Sequence, residues 1–422
     1  MVKREEGLVL GDRRRFLKSS AVAGVALGIS PAFVAAQAKY SRTVLPEMRI
    51  GRVEATPLSV RTIFAHGGVR KPSGMAACYV EVETEDGLIG HGITSITIPV
   101  IIADIINKSI APAIRGDDPL AHEAVWNKLY WLLSPRGQTG FASHAMAAVD
   151  IALWDIKGKA TGLPIATLLG GARSRVPIYV TSGPSFLSRE ELVAVAKDLV
   201  KRGFKGLKMV VGNHALRKRD DVPIDQVLAE DAERVRMVRE AVGDEADLHV
   251  DANHNLDYPA ALELIRLLEP YNISFFEEPV MQNDVRLLAD LRRNTGAVIA
   301  AGQNEGMAYR FRDMLVAGAV DYVQPNVMIT GGYTQVMKIA GMAEAFNVAI
   351  SNGGAAPLQN MHLHAGLANG GTVEWHLPFM DFCKMIYKDM PEPVAGVLDI
   401  PDRPGLGFEP DHDVIREMAA TT

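Results

Sequence analysis

From about residue 49 to residue 92 apolar and polar positions alternate, most cleanly in "ACYVEVETEDGLIGHG", with a turn around Asp86 and Gly87. Alternation with period two marks half-buried strands. "PVIIADIINKSIAPAI" and "PLAHEAVWNKLYWLL" then repeat apolar residues at three- and four-residue intervals, as helices do. This is an α+β segment with its strands first. From Val176 onward the texture changes to strand, loop, helix, repeated. The strand candidates are "VPIYVTSG", "FKGLKMVV", "ADLHVDAN", "ISFFEEP", "AVIAAGQ", "DYVQPN", "VAISNGG" and "TVEWH". Amphipathic helices such as "REELVAVAKDLVKRG", "YPAALELIRLLEPY" and "YTQVMKIAGMAEAFN" lie between them. Short apolar strands alternating with helices predict an α/β fold with a parallel sheet covered on its outside. Eight such units predict a β/α barrel. A doubly wound open sheet is the alternative, but no G-x-G-x-x-G follows a strand and polar residues gather at the strand C-terminal ends. The Pro- and Gly-rich tail around "PDRPGLGFEP" is expected to run back over the first segment.

Composition adds limits. The chain has 422 residues, 48% hydrophobic and 22% charged, enough for a large core and a second domain. A formal net charge of −6 gives no basic field for nucleic acid. Two cysteines, Cys78 and Cys383, make no metal-type spacing. The N-terminus, "GDRRRFLKSSAVAGVALGISPAFVAAQAK", orders a basic cluster, an apolar stretch and a small-residue site. Gly24, Gly28 and Pro31 break the apolar stretch, so no stable membrane span is expected. "RRRFLK", with Arg13 and Arg14 as the pair, resembles a twin-arginine signal, and Ala36-Gln37-Ala38 offers a cleavage site. Residues 1–38 are therefore expected to be a signal peptide read by the twin-arginine export machinery, and the mature protein to be periplasmic or otherwise exported.

The chemistry lies where strands end. Asp251 closes "DLHVDAN", Glu277 closes "ISFFEEP" and Gln303 closes "AVIAAGQ", in two successive steps of 26 residues. Each step is about one strand, one helix and two loops. The spacing predicts three side chains at equivalent heights on consecutive strands. Two carboxylates and an amide oxygen suit a hard cation such as Mg2+. Glu305 lies two residues beyond Gln303 and is the rival for the third corner; the expectation is Gln303 as ligand with Glu305 close by. Lys208 ends "FKGLK", one unit earlier. Beside a dication, like charge and burial push an ammonium toward neutrality, which makes Lys208 a candidate general base. An ion pair with Asp251 or Glu277 is its other reading.

These residues resemble the enolase superfamily, in particular its mandelate racemase/muconate lactonizing enzyme-like members in the sugar-acid dehydratase branch. The segments that carry the resemblance are "AVDIALWDIKGKATGLPIATLLGG" (148–171), "GFKGLK", "VDAN", "FFEEP", "VQPNVMITGG" and "PGLGFEP". The resemblance implies a (β/α)7β TIM-type barrel over residues 148–376. An N-terminal α+β capping domain would span 39–147, with the tail 377–422 packing back on it. It further implies Mg2+, abstraction of a proton α to a carboxylate through an enolate, a small-molecule hydroxy- or sugar-acid substrate, and a homo-oligomer. By resemblance Asp251 and Glu277 are metal ligands and Lys208 matches the first Lys of a K-x-K motif. Glu374 contacts the substrate carboxylate, with Asn253, Asn352, His66 and Arg70 as further candidate contacts.

The departures are as informative. The second Lys of K-x-K is Val210, the Asp of the family's Asp–His dyad is Asn326, and its His falls near Gly353 or Gly354. A two-base racemase of the dyad type is thereby disfavoured. A single-base elimination is favoured, with a racemase, epimerase or lactone cycloisomerase as the alternative. A leaving hydroxyl needs an acid, for which His254 and His66 are candidates, whereas His362 and His364 fall in a barrel helix and read as structural. A non-catalytic exported binding protein on a degenerate barrel is the reading from a different class.

Overall fold

A computed structural model describes residues 47–133, 137, 139–212 and 221–419. The expected signal peptide lies outside the described residues. Among the described residues no helix is long and apolar enough to cross a membrane.

The N-terminal alternation becomes a three-stranded antiparallel sheet, β1 (Ile50–His66), β2 (Val69–Thr84) and β3 (Ile89–Ser95), in that order. Residues 64–74, which carry His66 and Arg70, form the end of a long hairpin, in which His66 pairs with Val69 and Ala65 with Arg70. Gly67 and Gly68 supply the two positive φ angles, 56° and 79°, that a two-residue hairpin turn needs. The tip lies on the helix Arg189–Lys201 so closely that a Cβ on Gly67 would stand 2.6 Å from Val195 Cα. The helix Phe141–Thr161 runs uninterrupted through residues 147 and 148, the expected domain boundary, and packs on β2 and β3.

All eight barrel strands form where the periodicity places them. They are β4 (Arg175–Gly183), β5 (Gly206–Val210), β6 (Asp247–Asp251), β7 (Ile273–Glu277), β8 (Ile299–Ala301), β9 (Tyr322–Val323), β10 (Ala349–Ile350) and β11 (Val373–His376). Each pairs in parallel with its neighbour, and β11 returns to β4. Between β10 and β11 the Asn352 N–H donates to Thr372 O at 2.9 Å. The fold is the expected α/β barrel with an antiparallel capping domain. Local chemistry starts the helices: Ser188 and Glu191 form a capping box, and Asp257 accepts from the Ala260 N–H at 3.0 Å. In the tail, Val397–Asp399 pairs antiparallel with the start of β4, and His412 meets Glu81 of the capping sheet at 2.9 Å.

Candidate active site

Strand register sets the depth of each side chain. Asp251 and Glu277 face each other across β6 and β7, while Lys208 pairs with His249, one inward-facing layer lower. The long lysine side chain spans that layer. Its Nζ lies 3.0 Å from both Glu277 oxygens, 3.1 Å from Asp251 Oδ2 and 2.9 Å from Glu374 Oε1. Lys208, Asp251, Glu277 and Glu374 are all buried. Glu374 is held in turn: Thr181 Oγ1 donates to Oε1, and the Ala355 N–H donates to Oε2 at 2.7 Å.

The charges decide the protonation of Lys208. Burial pushes its ammonium toward neutrality, but Glu277, Glu374 and Asp251 together outweigh burial and hold it well above the ordinary lysine range. Lys208 thus stands as the ion-pair partner of Asp251, Glu277 and Glu374. Burial and Asp251 push the Glu277 carboxyl up, and Lys208 only partly offsets them. Glu374 is held below its ordinary value although burial opposes this, because Lys208, Thr181 and the Ala355 N–H favour its charged form.

The third corner is not at the height that equal spacing suggests. Glu277 pairs with Ala300, so Gln303 lies three residues further on, in the turn after β8. It still reaches back. Its Nε2 donates to Asp251 Oδ2 at 3.1 Å and to Glu278 Oε2 at 3.2 Å, which holds the amide beside the first expected ligand. Glu305 is engaged elsewhere, with Arg310 Nε at 2.8 Å and Asn283 Nδ2 at 3.2 Å. Among the described residues no three His, Cys, Asp or Glu side chains form a ready-made metal site. The donor set nevertheless fits a hard dication on charge. Asp251, Glu277 and Glu374 are buried around one lysine, an excess of negative charge that a dication would balance.

Of the remaining expected site residues, Asn352 is brought in, Asn253 touches Asp251 through its backbone, and two are not brought in. Asn352 Oδ1 accepts from the Glu374 N–H at 3.1 Å, and the Asn253 N–H donates to Asp251 Oδ1 at 2.8 Å. His66 instead bonds Asp381, 3.0 Å from each oxygen, and Arg70 is exposed along the hairpin. The hairpin is regular to its tip, and that tip rests on the helix Arg189–Lys201. His362 and His364 are buried and bonded to backbone groups, as a structural role requires.

Sequence reasoning missed Glu278. Strand alternation turns it away from the mouth, but its φ of 43° ends the strand and swings it inward. It is fully buried and accepts from Asn283, Asn304 and Gln303. The loop after β10 was also opaque. Gly354, Ala355 and Ala356 take φ angles of 74°, 67° and 58° in succession. Asn326 Nδ2 holds this run by donating to Gly353 O at 2.7 Å and Gly354 O at 2.8 Å. A Cβ on Gly353 would stand 2.8 Å from Glu277 Oε1, so backbone fills the place near which the family keeps its dyad histidine.

Comparison with known proteins accords with this geometry. Residues 62–170 match the mandelate racemase/muconate lactonizing enzyme N-terminal domain, and residues 191–414 match the enolase C-terminal domain-like family. The chain belongs to the enolase superfamily. It is 34% identical to an arabinonate dehydratase of Saccharolobus solfataricus, over 78% of this chain and 86% of that protein. It is 32% identical to a 3,6-anhydro-alpha-L-galactonate cycloisomerase of Streptomyces coelicolor, over 81% and 90%. A racemase structure from Streptomyces coelicolor with bound magnesium superposes with a TM-score of 0.78 at 29% identity, covering 87% of this chain and 99% of that one. The expectation of an enolase-superfamily lyase or isomerase agrees with these relatives, which are named dehydratases and cycloisomerases.

Proposed function

We propose that this enzyme removes water from a sugar acid or a similar hydroxy acid by β-elimination. The observation that carries this reading is the one-sided mouth. Lys208 converges with Asp251, Glu277 and Glu374, while the opposite side presents Asn326 and glycine backbone where a second base would stand. Asp251, Glu277 and Gln303 are the residues that would hold Mg2+, which when bound would supply positive charge to the substrate carboxylate. Lys208 is positioned to exchange the α-proton at Nζ once its carboxylates have another counter-charge. Glu374, fixed by Thr181 and Ala355, orients that ammonium. Loss of the β-hydroxyl then gives an enol that tautomerises to a 2-keto-3-deoxy acid.

The test is purified protein with Mg2+ against a panel of aldonic and aldaric acids, read by 2-keto acid formation. Lys208→Ala should lower the rate at least ~100-fold. Absence of keto acid across the panel, or a Lys208→Ala variant as fast as the parent, sinks the proposal. A cycloisomerase is the second reading, supported by relatives of that name at 32% and 30% identity; it also needs only one base. Solvent deuterium entering the α-position without loss of water would favour it. Export rests on the N-terminal pattern, and a reporter fused to residues 1–40 that stays in the cytoplasm would refute it. The homo-oligomer is checked by sedimentation.

A further inference from the structure

A hydroxide ion leaves carbon poorly, so dehydration needs an acid beside the β-hydroxyl. The β9–β10 side of the mouth offers Asn326 and glycine backbone. The β6–β7 side offers a histidine in an unusual setting. Asn253 and His254 follow Asp251 with φ angles of 44° and 45°, and Glu278 follows Glu277 with 43°. Left-handed backbone at three non-glycine residues is costly and persists where surroundings enforce it. Here they do: the Asn253 N–H donates to Asp251 Oδ1 at 2.8 Å, and the His254 N–H donates to Glu278 O at 2.8 Å. The two turns are thereby locked together.

The ring itself faces two groups. His254 Nε2 lies 3.8 Å from Glu278 Oε2 and 3.4 Å from Asn304 Nδ2. Asn304 also donates to Glu278 at 2.8 Å and adjoins Gln303, which reaches Asp251. Glu278 is buried and, among the described residues, accepts from the amides of Asn283, Gln303 and Asn304, which fix its carboxylate beside the ring. Among the described residues no hydrogen bond engages His254 Nδ1, and the side chain remains 34% exposed. That nitrogen is free to meet a substrate hydroxyl.

We propose that His254 is the general acid of the elimination and that Glu278 is its positioning residue, a histidine–carboxylate pair standing on β6–β7 instead of on the family's β9–β10 positions. This assignment rests on the dehydratase reading above. In the step, the base removes the α-proton, the Cα–H electron pair forms the Cα=Cβ bond, and the Cβ–O bond breaks. The departing oxygen takes the proton from His254 Nδ1 and leaves as water; bulk solvent returns a proton to the ring.

The experiment separates the two halves of the reaction. For the acid that the parent enzyme dehydrates fastest, α-proton exchange in deuterated water is measured beside elimination. The analogue bearing β-chlorine in place of the hydroxyl is measured as well, since chloride leaves without protonation. His254→Gln should lose water elimination by ~100-fold or more while still exchanging the α-proton and still eliminating chloride. Glu278→Gln should show the same pattern more weakly. Equal loss of exchange, water elimination and chloride elimination in His254→Gln overturns the assignment of His254 alone, as does unchanged water elimination. A parent enzyme that neither exchanges nor eliminates overturns the dehydratase reading and this inference with it. Exchange without elimination in the parent does the same.

Discussion

On the β5–β7 side of the barrel mouth the buried volume is filled with charge: Lys208, Asp251, Glu277 and Glu278. On the β9–β10 side the same volume is filled with Asn326, two glycines and two alanines in left-handed conformation. The first side carries the groups that the proposed proton transfer and cation would need. The second can only hold its own shape, and it does so with hydrogen bonds that a carboxylate–histidine dyad would not make. The comparison shows that the missing dyad is not an empty place. Its space has been taken by backbone, so chemistry on that face is closed sterically as well as by residue type.

The comparison breaks most readily at Lys208. Lys208→Met removes the one cation among buried carboxylates and should cost about 3–5 kcal/mol of stability, the range for breaking a buried ion pair. Urea unfolding near neutral pH checks this; a loss below about 1 kcal/mol would mean the cluster does not depend on the ammonium. Next comes Asn326→Asp, which restores the dyad's acid in type. Asn326 Oδ1 already accepts from the Met328 N–H at 2.9 Å, so the amide nitrogen is the atom facing Gly353 O and Gly354 O. A carboxylate would set oxygen against those carbonyls, leaving Gly354 O without this donor and Gly353 O with Asn352 alone, beside a buried charge. A loss of about 2–4 kcal/mol is expected, with no gain of racemisation. Stability equal to the parent would show that the side is not the amide-built plug described above.

What could be read from sequence follows the same division. The eight strands and their helices were legible because burial period and capping chemistry are local. Lys208, Asp251 and Glu277 were legible because strand ends point into a barrel mouth whatever the loops do. Gln303 was found by an equal spacing that turned out not to be equal height: its reach back to Asp251 depends on a turn. Glu278 and the run Gly354–Ala356 were not legible, since positive φ at Glu or Ala follows from tertiary hydrogen bonds and has no local sequence signal. The partner of His66 was not legible either: it bonds Asp381, 315 residues further along the chain, a pairing with no local sequence signal.

A finer test concerns the third corner. Gln303→Glu places another carboxylate beside Asp251 and Glu278, which already share the amide as donor. Without metal the variant should lose about 1–3 kcal/mol, since a donor becomes an unpaired acceptor. With Mg2+ in excess the sign should reverse, because binding to the folded state alone adds stability. Melting temperature against Mg2+ concentration reads both effects. If the parent and the variant respond equally to Mg2+, Gln303 is not at the cation's corner.

The smallest effect probes the strained side directly. Ala355 has φ of 67° with no exposed surface, and its N–H is committed to Glu374. A left-handed alanine costs roughly 1–2 kcal/mol relative to its preferred conformations. Glycine removes that cost but gives up roughly 0.5–1 kcal/mol through the greater freedom of its unfolded chain. Ala355→Gly should therefore gain about 0.5–1 kcal/mol on balance, with the Glu374 bond intact. A gain places real strain in the loop that closes the dyad's face. A loss would mean that the methyl group's packing outweighs the strain, and that the β9–β10 side is held by ordinary burial rather than by Asn326 forcing the backbone against its preference.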